Sequence, residues 1–245
     1  HRVIERSLWR IADALVAVSH SQAEAISRYH RIPRERIRVI WNGVNEPVRL
    51  SSAIPFERPL PPGVPIIASV STLITQKGLG HLLEAARLIL DSGERFVIVV
   101  AGDGPLHQKL IARAAELGLD ECVRFIGWVP QAVNRLLPAC DIFVQSSLWE
   151  AMSIVVLEAM AVGKAMVVTA VGENPRVVIQ GETGLLVPPA DPAALARALT
   201  TVIRDPELRT RLGNAARASY LSQFTVAHMA TEYEKLYLEL AGAST

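Results

Sequence analysis

Cysteine and excess charge are both scarce in this chain, and each scarcity removes a class of protein. The 245 residues include two cysteines, Cys122 and Cys140, and both stand in apolar surroundings. A disulfide-rich secreted fold is therefore excluded, and two buried free thiols in a reducing, cytoplasmic setting are predicted. The formal net charge is +1, so the total charge predicts binding neither to nucleic acid nor to an acidic surface.

Metal-ligand spacings and long apolar runs are also missing. The six histidines are scattered, and because no two have the spacing of a zinc site, we expect no structural metal. No apolar run reaches the roughly eighteen residues of a membrane span, and no leader pattern is recognisable. The chain begins at His1 rather than at methionine and opens in a helical pattern, which is typical of a fragment or a processed product.

The common phosphate-binding and hydrolase motifs are absent as well. The turn Gly102-Asp103-Gly104 does not extend into a dinucleotide fingerprint, because His107 takes the place of its third glycine. Gly163-Lys164-Ala165 lacks the upstream glycine and the hydroxyl residue of a P-loop, and no G-x-S-x-G elbow is present. A dehydrogenase, a P-loop NTPase and a serine hydrolase are therefore disfavoured.

The chain does contain an alternation of apolar, strand-like runs with amphipathic helical segments. Half of the residues are hydrophobic, which is enough for a large buried core. Asp191-Pro192 and Asp205-Pro206 have the form of helix starts, with aspartate as the N-cap. The strand-like runs are continuously apolar, as expected for a sheet buried on both faces, and a doubly wound, parallel, Rossmann-like α/β sheet is predicted. The predicted strands are Ala14–Val18, Arg38–Trp41, Ile66–Ser71, Phe96–Ala101, Val123–Gly127, Ile142–Gln145, Ala165–Thr169 and Leu185–Val187.

A proline-rich stretch divides the chain. Six prolines fall between Glu46 and Pro65, and such a segment is typical of a linker. We predict that residues 1–50 are the end of an incomplete domain, that 51–65 form the linker, and that 66–225 form a self-sufficient domain. The segment 226–245 is predicted to carry a final helix over Val226–Leu240 that packs back toward the N-terminal part.

The segment Ser147–Ala161 carries the strongest indication of function. It places Glu150 just before a predicted helix and Glu158 inside it, with small and apolar residues between them. Ser153 is the predicted N-cap of a helix that begins at Ile154, so the first backbone N–H groups are available to an anion. A diphosphate bound there leaves both glutamates to accept hydrogen bonds from hydroxyl groups on either side. That arrangement suits a nucleotide-sugar.

Two further loops at predicted strand ends carry candidate ligand-binding residues. Lys77 follows the strand at Ile66–Ser71 and would supply positive charge to the same diphosphate. Gly102 follows the strand at Phe96–Ala101, where a turn that only joins strand to helix explains the glycine equally well. Glu158 also has a plain explanation, a charged residue on the solvated side of a helix, although its sequence neighbours are apolar.

Taken together, these segments resemble the C-terminal, donor-binding domain of a retaining GT-B glycosyltransferase of family four, also called group 1. The likeness runs from about Ile11 to Tyr237, and its most specific part is the Glu150–Glu158 pair, which has the family's E-x7-E spacing. Further family segments follow in order at Ala12–Ser19, Val39–Asn45, Ala101–Leu106, Val123–Gly127, Ala139–Asp141 and Gly181–Pro189. The resemblance implies the C-terminal half of a GT-B fold, preceded over residues 1–50 by the end of an acceptor-side domain.

The resemblance also implies a reaction and a role for each site residue. A sugar would pass, with retention, from a UDP- or GDP-linked donor to an acceptor hydroxyl, and no metal or other cofactor is implied. Lys77 would contact the donor diphosphate and Glu150 the donor sugar, and these two are the predicted catalytic residues. Glu158 would hold the ribose. The remaining donor contacts would come from Ser153, Ile154 and Val155 to phosphate, and from Trp128 and Val129 to the base, with Gly102 in the neighbouring loop.

The implied acceptor is a carbohydrate or a lipid-linked hydroxyl compound. Nucleic acid is not an implied partner. Most of the acceptor-binding N-terminal domain is not part of the resemblance, and any peripheral contact with a membrane would come through that domain.

Several positions depart from the family pattern. Thr72 stands where a G-R-L turn has arginine, and the loss of a charged phosphate contact costs roughly 1.5–3 kcal/mol. The family's G-G-x-P-E segment is replaced by Gly172-Glu173-Asn174-Pro175-Arg176, and Arg176 is a candidate to supply the missing charge. These departures leave open a non-catalytic or degenerate nucleotide-sugar-binding module and, less favoured, a GT-B nucleotide-sugar epimerase.

Overall fold

The strands of this protein form two separate parallel sheets in the computed structural model, which describes residues 9–48 and 61–242. In the smaller sheet, β1 (Leu15–Ala17) pairs with β2 (Ile37–Val39), and helix α1 (His20–His30) connects them. The larger sheet has six strands in the order β5-β4-β3-β6-β7-β8. These are β3 (Ile66–Val70), β4 (Val97–Ala101), β5 (Val123–Phe125), β6 (Ile142–Gln145), β7 (Ala165–Thr169) and β8 (Leu185–Val187).

Every predicted strand is present. β6, β7 and β8 have the predicted bounds, the others are shorter than predicted, and β2 begins one residue earlier. Residues 51–60 of the predicted linker lie outside the described residues, and the domain boundaries stay a prediction.

Helices cover both faces of the larger sheet, so the predicted doubly wound fold is confirmed. Buried side chains fall into two clusters, and β4 contributes alternately to them, Ile98 and Val100 to one and Val97 and Val99 to the other. This alternation is the period of two of a strand with both faces buried. The remaining helices are α2 (Leu79–Asp91), α3 (His107–Glu116), α4 (Ala132–Ala139), α5 (Ile154–Ala161), α6 (Asn174–Val177), α7 (Pro192–Arg204), α8 (Pro206–Gln223) and α9 (Val226–Gly242).

The order of the strands reverses between β3 and β6. Strand β3 pairs with β4 on one side and with β6 on the other, and all the pairs are parallel. In open α/β sheets, ligands bind beyond the carboxyl ends of the strands at such a reversal. The loops that follow β3 and β6 therefore border the expected binding crevice.

Two predicted helix starts are confirmed by their caps. The Asp191 carboxylate accepts from the Ala194 N–H at 2.8 Å, and the Asp205 carboxylate accepts from the Leu208 N–H at 2.8 Å. Each aspartate thus satisfies an N–H group that has no acceptor within the helix.

Helix α9 contacts the residues that follow the smaller sheet. The Val226 N–H donates to the Val44 carbonyl at 3.2 Å, and Arg38 of β2 pairs with Glu239 at 2.7 Å. These contacts join helix α9 to the segment 38–44.

The two cysteines are buried and free, as predicted. Burial raises the pKa of Cys140 to about 12 and also raises the pKa of Cys122. Across residues 9–48 and 61–242, no helix has both the length and the apolar character needed to cross a bilayer. Within the same part of the chain, His, Cys, Asp and Glu side chains form no group of three or more that is arranged to hold a metal ion.

Candidate functional site

Lys77 and Glu150 meet where the strand order reverses. Lys77 ends a short 3-10 turn, Thr75–Lys77, in the loop after β3, and Glu150 lies in the loop after β6. The Lys77 Nζ lies 2.6 Å from the Glu150 Oε1, and the Ser147 hydroxyl donates to the same oxygen at 2.8 Å. The two charged side chains are 20% and 9% exposed, so the pair is shielded from water and is stronger than a surface ion pair.

The close approach of these two loops requires a glycine at position 78. Its φ is +60°, and a Cβ there would lie 2.1 Å from the Ser146 carbonyl oxygen. The Ser146 hydroxyl donates to the Lys77 carbonyl at 2.9 Å, and the Gln76 amide donates to the Trp149 carbonyl at 3.0 Å. Gly78 also precedes the first residue of α2. It therefore both allows the two loops to approach closely and stands at the N-cap position of the helix.

The N-terminus of α5 is not capped by a side chain. Ser153 is the N-cap residue, as predicted, but its side chain makes no capping hydrogen bond. Its hydroxyl instead accepts from the Gln145 amide at 2.6 Å. The N–H groups of the first helical turn, which include those of Ile154 and Val155, have no acceptor within the helix. The helix start therefore favours an anion by both its N–H groups and its dipole.

Buried polar side chains fix the loop that carries Glu150. The Asn174 amide donates to the Gln145 side chain at 2.8 Å and to the Thr169 carbonyl at 2.9 Å. The Thr169 hydroxyl donates to the Ser147 carbonyl at 2.7 Å. The sequence analysis missed this network, because each residue is an ordinary polar residue near a strand end, and only the sheet order brings them together.

Glu158 lies in the second turn of α5 and is partly buried. Burial raises the pKa of this carboxyl group to about 7. Its carboxyl group forms neither a hydrogen bond nor an ion pair with a described residue, whereas its backbone carbonyl accepts from the Val162 N–H at 3.1 Å. A fully solvated position, the plain explanation of this residue, does not agree with the raised pKa.

A cavity of about 290 Å³ opens beside the carboxyl ends of β3 and β4. Its walls include Ser71, Thr72, Gly102, Trp128 and Val129. Gly102 has a φ of +141°, and a Cβ at this position would lie 1.8 Å from the Ser71 carbonyl oxygen. The Ser71 hydroxyl is buried and has no hydrogen-bond partner among the described residues, whereas Trp128 is 71% exposed. The structure thus brings the three candidate residues 102, 128 and 129 together, with Thr72 in the same wall.

Glu173 is a fully buried carboxylate that sequence reasoning recorded only as a departure from a family motif. It accepts from the His20 backbone N–H at 2.9 Å, from the His20 Nδ1 at 2.6 Å and from the Trp41 Nε1 at 3.0 Å. Burial acts to raise the pKa of Glu173, but the hydrogen bonds from His20 and Trp41 outweigh it, and the pKa lies below its usual value. The Arg176 guanidinium is 3.7 Å from this carboxylate and about half exposed, and its role toward phosphate stays a prediction.

Comparison with known proteins matches nearly the whole chain to glycosyltransferases. The family described as glycosyl transferases group 1 matches residues 51–219, and glycosyltransferase family 4 matches residues 1–46. The alpha-maltose-1-phosphate synthase of Mycolicibacterium smegmatis is 29% identical over 97% of this chain and 66% of its own length.

Solved structures share the fold. Sucrose-phosphate synthase from Thermosynechococcus elongatus is 26% identical with a TM-score of 0.85, over 99% of this chain and 62% of that one. HepE from Anabaena, solved in complex with UDP-glucose, is 21% identical with a TM-score of 0.80, over 96% of this chain and 68% of that one. The chain therefore spans about two thirds of the length of these proteins, and the likeness confirms the expected C-terminal half of a GT-B fold. This chain belongs to the glycosyl transferases group 1 family.

Proposed function

We propose that this chain is the donor-binding part of a retaining glycosyltransferase. The proposed site for its nucleotide-diphosphate sugar lies at the carboxyl ends of β3 and β6. The observation that carries the proposal is the contact of Lys77 with Glu150. Glu150 lies in the loop that leads from β6 to the start of α5, where no side chain caps the helix. A cation and free N–H groups suit a diphosphate, and a carboxylate suits sugar hydroxyls.

The proposed donor binds to groups that, among the described residues, either bond to one another or have no partner. Its diphosphate accepts from the Lys77 ammonium and from the first N–H groups of α5. Glu150, released from the lysine, accepts hydrogen bonds from hydroxyls of the donor sugar. Glu158, which has no partner in the described part of the chain, accepts from the ribose hydroxyls, and the base enters the cavity lined by Gly102, Trp128 and Val129.

Catalysis in this proposal is electrostatic. As the bond between the anomeric carbon and the diphosphate oxygen breaks, negative charge grows on the leaving oxygen. The start of α5, and Lys77 once it has exchanged Glu150 for the diphosphate, stabilise that charge by their positive ends. The acceptor hydroxyl oxygen then bonds to the anomeric carbon on the same face of the sugar and its proton passes to the leaving diphosphate oxygen, so the anomeric configuration is retained.

The acceptor in the proposal is a carbohydrate or a lipid-linked compound, and the buried thiols of Cys122 and Cys140 support a cytoplasmic setting. Peripheral contact with a membrane stays a prediction. Neither a metal nor another cofactor is part of the proposal.

Calorimetric titration with UDP and with GDP tests the proposal. We expect saturable binding of one nucleotide, weakened about tenfold or more in Glu158→Ala, which corresponds to about 1.4 kcal/mol. Glu207→Ala, in the exposed first turn of α8, is the matched control and should bind as the wild type does. UDP is the first nucleotide to test, because HepE was solved with UDP-glucose. Absence of binding to both nucleotides would contradict the proposal.

Turnover separates the enzyme from the non-catalytic alternative. With the nucleotide identified, we expect slow release of free sugar from the corresponding sugar nucleotide, and loss of this release in Glu150→Gln. Binding without any release, with or without added acceptors, would favour the non-catalytic module.

A further inference from the structure

We infer that Glu173 is a positioning residue that couples residues 9–48 to the loop carrying Glu150. The inference rests on the proposed function insofar as that loop belongs to a donor site. The coupling itself rests on contacts of Glu173 and its neighbours on both sides of the predicted domain boundary.

The hydrogen-bond donors to Glu173 come from the two loops at the carboxyl ends of the smaller sheet. His20 begins α1 just after β1 and is 153 residues away in sequence, and Trp41 follows β2 and is 132 residues away. His20 uses both its backbone N–H and its ring nitrogen Nδ1. The carboxylate is inaccessible to water, so removal of these donors would leave a buried charge opposed by the Arg176 guanidinium at 3.7 Å but without its hydrogen bonds, which is destabilising.

The loop after β7, which carries Glu173, contacts the backbone of the segment Glu150–Met152. The Glu173 N–H donates to the carbonyl of the middle residue, Ala151, at 3.0 Å. A Cβ at Gly172, which has a φ of +56°, would lie 2.2 Å from the carbonyl oxygen of the first residue. The segment Glu150–Met152 therefore lies directly against the backbone of Gly172 and Glu173.

Residues 9–48 contact that segment directly as well. The Asn42 N–H lies 3.3 Å from the sulfur of Met152, and Trp41 is the neighbour of Asn42 in the chain. The segment Glu150–Met152 is therefore contacted both by the loop of Glu173 and by the loop of Trp41. The hydrogen bond between Trp41 and Glu173 connects these two loops. Residues 9–48 are thereby connected, through the loop of Glu173, to the backbone beside Glu150.

Other contacts of residues 9–48 lie elsewhere and serve as controls. Arg38 pairs with Glu239 of α9, and Glu46 pairs with Arg217 of α8. Both pairs are partly exposed, and such pairs contribute little to stability. Arg176 is the other charged group that faces Glu173.

Hydrogen exchange of the ligand-free chain and UDP titration, each on wild type and Glu173→Gln, test the inference. The variant keeps the shape of the side chain but places an NH₂ group opposite an N–H donor. We expect faster exchange in peptides covering 172–174, because the Glu173 N–H donates to the Ala151 carbonyl, and a five- to tenfold loss of UDP affinity. Arg38→Gln should change neither measurement, because it breaks a contact of residues 9–48 that does not reach this segment.

The two measurements separate the possible failures. Unchanged exchange at 172–174 in Glu173→Gln, with faster exchange confined to residues 18–42, would overturn the inference. Unchanged UDP affinity in a variant with faster exchange would overturn the link to the donor site. A wild type that binds no nucleotide refutes the proposed function, and the exchange at 172–174 still decides the coupling.

A milder substitution covers the case in which Glu173→Gln does not fold. Trp41→Phe removes a single donor to Glu173 and keeps an aromatic ring against Phe224, whose ring centroid lies 5.4 Å from that of Trp41. We expect the same faster exchange at 172–174, with a smaller effect. Wild-type exchange in that segment would again overturn the inference.

Discussion

Lys77 and Glu150 are 73 residues apart in the sequence and bonded to each other in the fold, with the Lys77 Nζ 2.6 Å from the Glu150 Oε1. Both side chains are largely shielded from water. A donor that engages each residue separately must therefore replace this contact with two new ones. The proposed function makes different predictions for the two members of the pair.

Lys77→Ala removes the cation that the diphosphate is proposed to meet. We expect the affinity for UDP to fall about 10- to 100-fold, the equivalent of roughly 1.5–3 kcal/mol for a hydrogen bond to a charged group. Lys109→Ala, on the exposed side of α3, is the control and should bind as the wild type does. Calorimetric titration checks the prediction, and equal affinities for the two variants would refute it.

Glu150→Gln should affect the binding of the sugar nucleotide and the binding of UDP differently. Because the carboxylate is proposed to hold sugar hydroxyls, we expect the affinity for the sugar nucleotide to fall about tenfold. The affinity for UDP itself should stay the same or rise, since Lys77 loses its competing partner. The ratio of the two dissociation constants is the measurement, and an equal loss for both ligands would argue against the assigned roles.

Glu158 should make the stability of the chain depend on pH. Its pKa rises from 4.5 to about 7 on folding, so the folded state takes up a proton there. The corresponding stability is complete below pH 4.5 and is lost as the pH rises toward 7. Glu158→Gln removes this loss, and we expect it to exceed the wild type at pH 8 by about 1 kcal/mol, a value reduced for partial exposure.

Thermal unfolding at pH 4.5 and at pH 8 measures this effect. The difference in Tm between Glu158→Gln and the wild type should be larger at the higher pH. A difference that does not change with pH would show that the carboxyl group ionises alike in the folded and unfolded chains.

Thr72→Arg restores the charge that the family's motif carries at this position. Thr72 lies in the wall of the cavity beside Gly102, and we expect the variant to bind UDP up to about tenfold more tightly, through a charge-assisted hydrogen bond to phosphate. Thr75→Arg adds the same charge at an exposed position of the same loop and is the control. Equal gains in both variants would indicate a general effect of charge.

Gly102→Ala should block the cavity. The added methyl group would meet the Ser71 carbonyl oxygen at 1.8 Å, so the loops after β3 and β4 must separate. The control, Gly127→Ala, also has a positive φ, of +67°, but has no atom within 4 Å of the added carbon. We expect both variants to lose roughly 1 kcal/mol of stability or more and only Gly102→Ala to lose UDP binding in calorimetry.

Local sequence patterns predicted much of the fold. The strands β6, β7 and β8 have the bounds expected from continuous apolar runs, because burial on both faces of a parallel sheet leaves a pattern that local inspection can detect. The caps at Asp191 and Asp205 are confirmed for a similar reason, since an N-cap bonds to an N–H only three residues away.

The candidate site was predicted in part. Ser153 was placed correctly at the start of α5, and Lys77, Glu150 and Glu158 were identified from a motif resemblance and from their positions at strand ends. The structure adds the contact between Lys77 and Glu150 and the raised pKa of Glu158. Neither follows from spacing alone, because each depends on which groups the fold brings close and which it removes from water.

The order and type of the elements follow from local sequence, because each strand run and each helix cap is a property of neighbouring residues. Which loops share one edge of the sheet depends instead on the order of the strands in the fold. Strand β3 lies beside β6, and this adjacency joins Lys77 to Glu150 across 73 residues. Glu173 is the clearest case. It is buried, and the residues that donate to it, His20 and Trp41, lie 153 and 132 positions away in the sequence. A carboxylate that looks like an ordinary charged residue in the sequence is thus a buried junction in the fold.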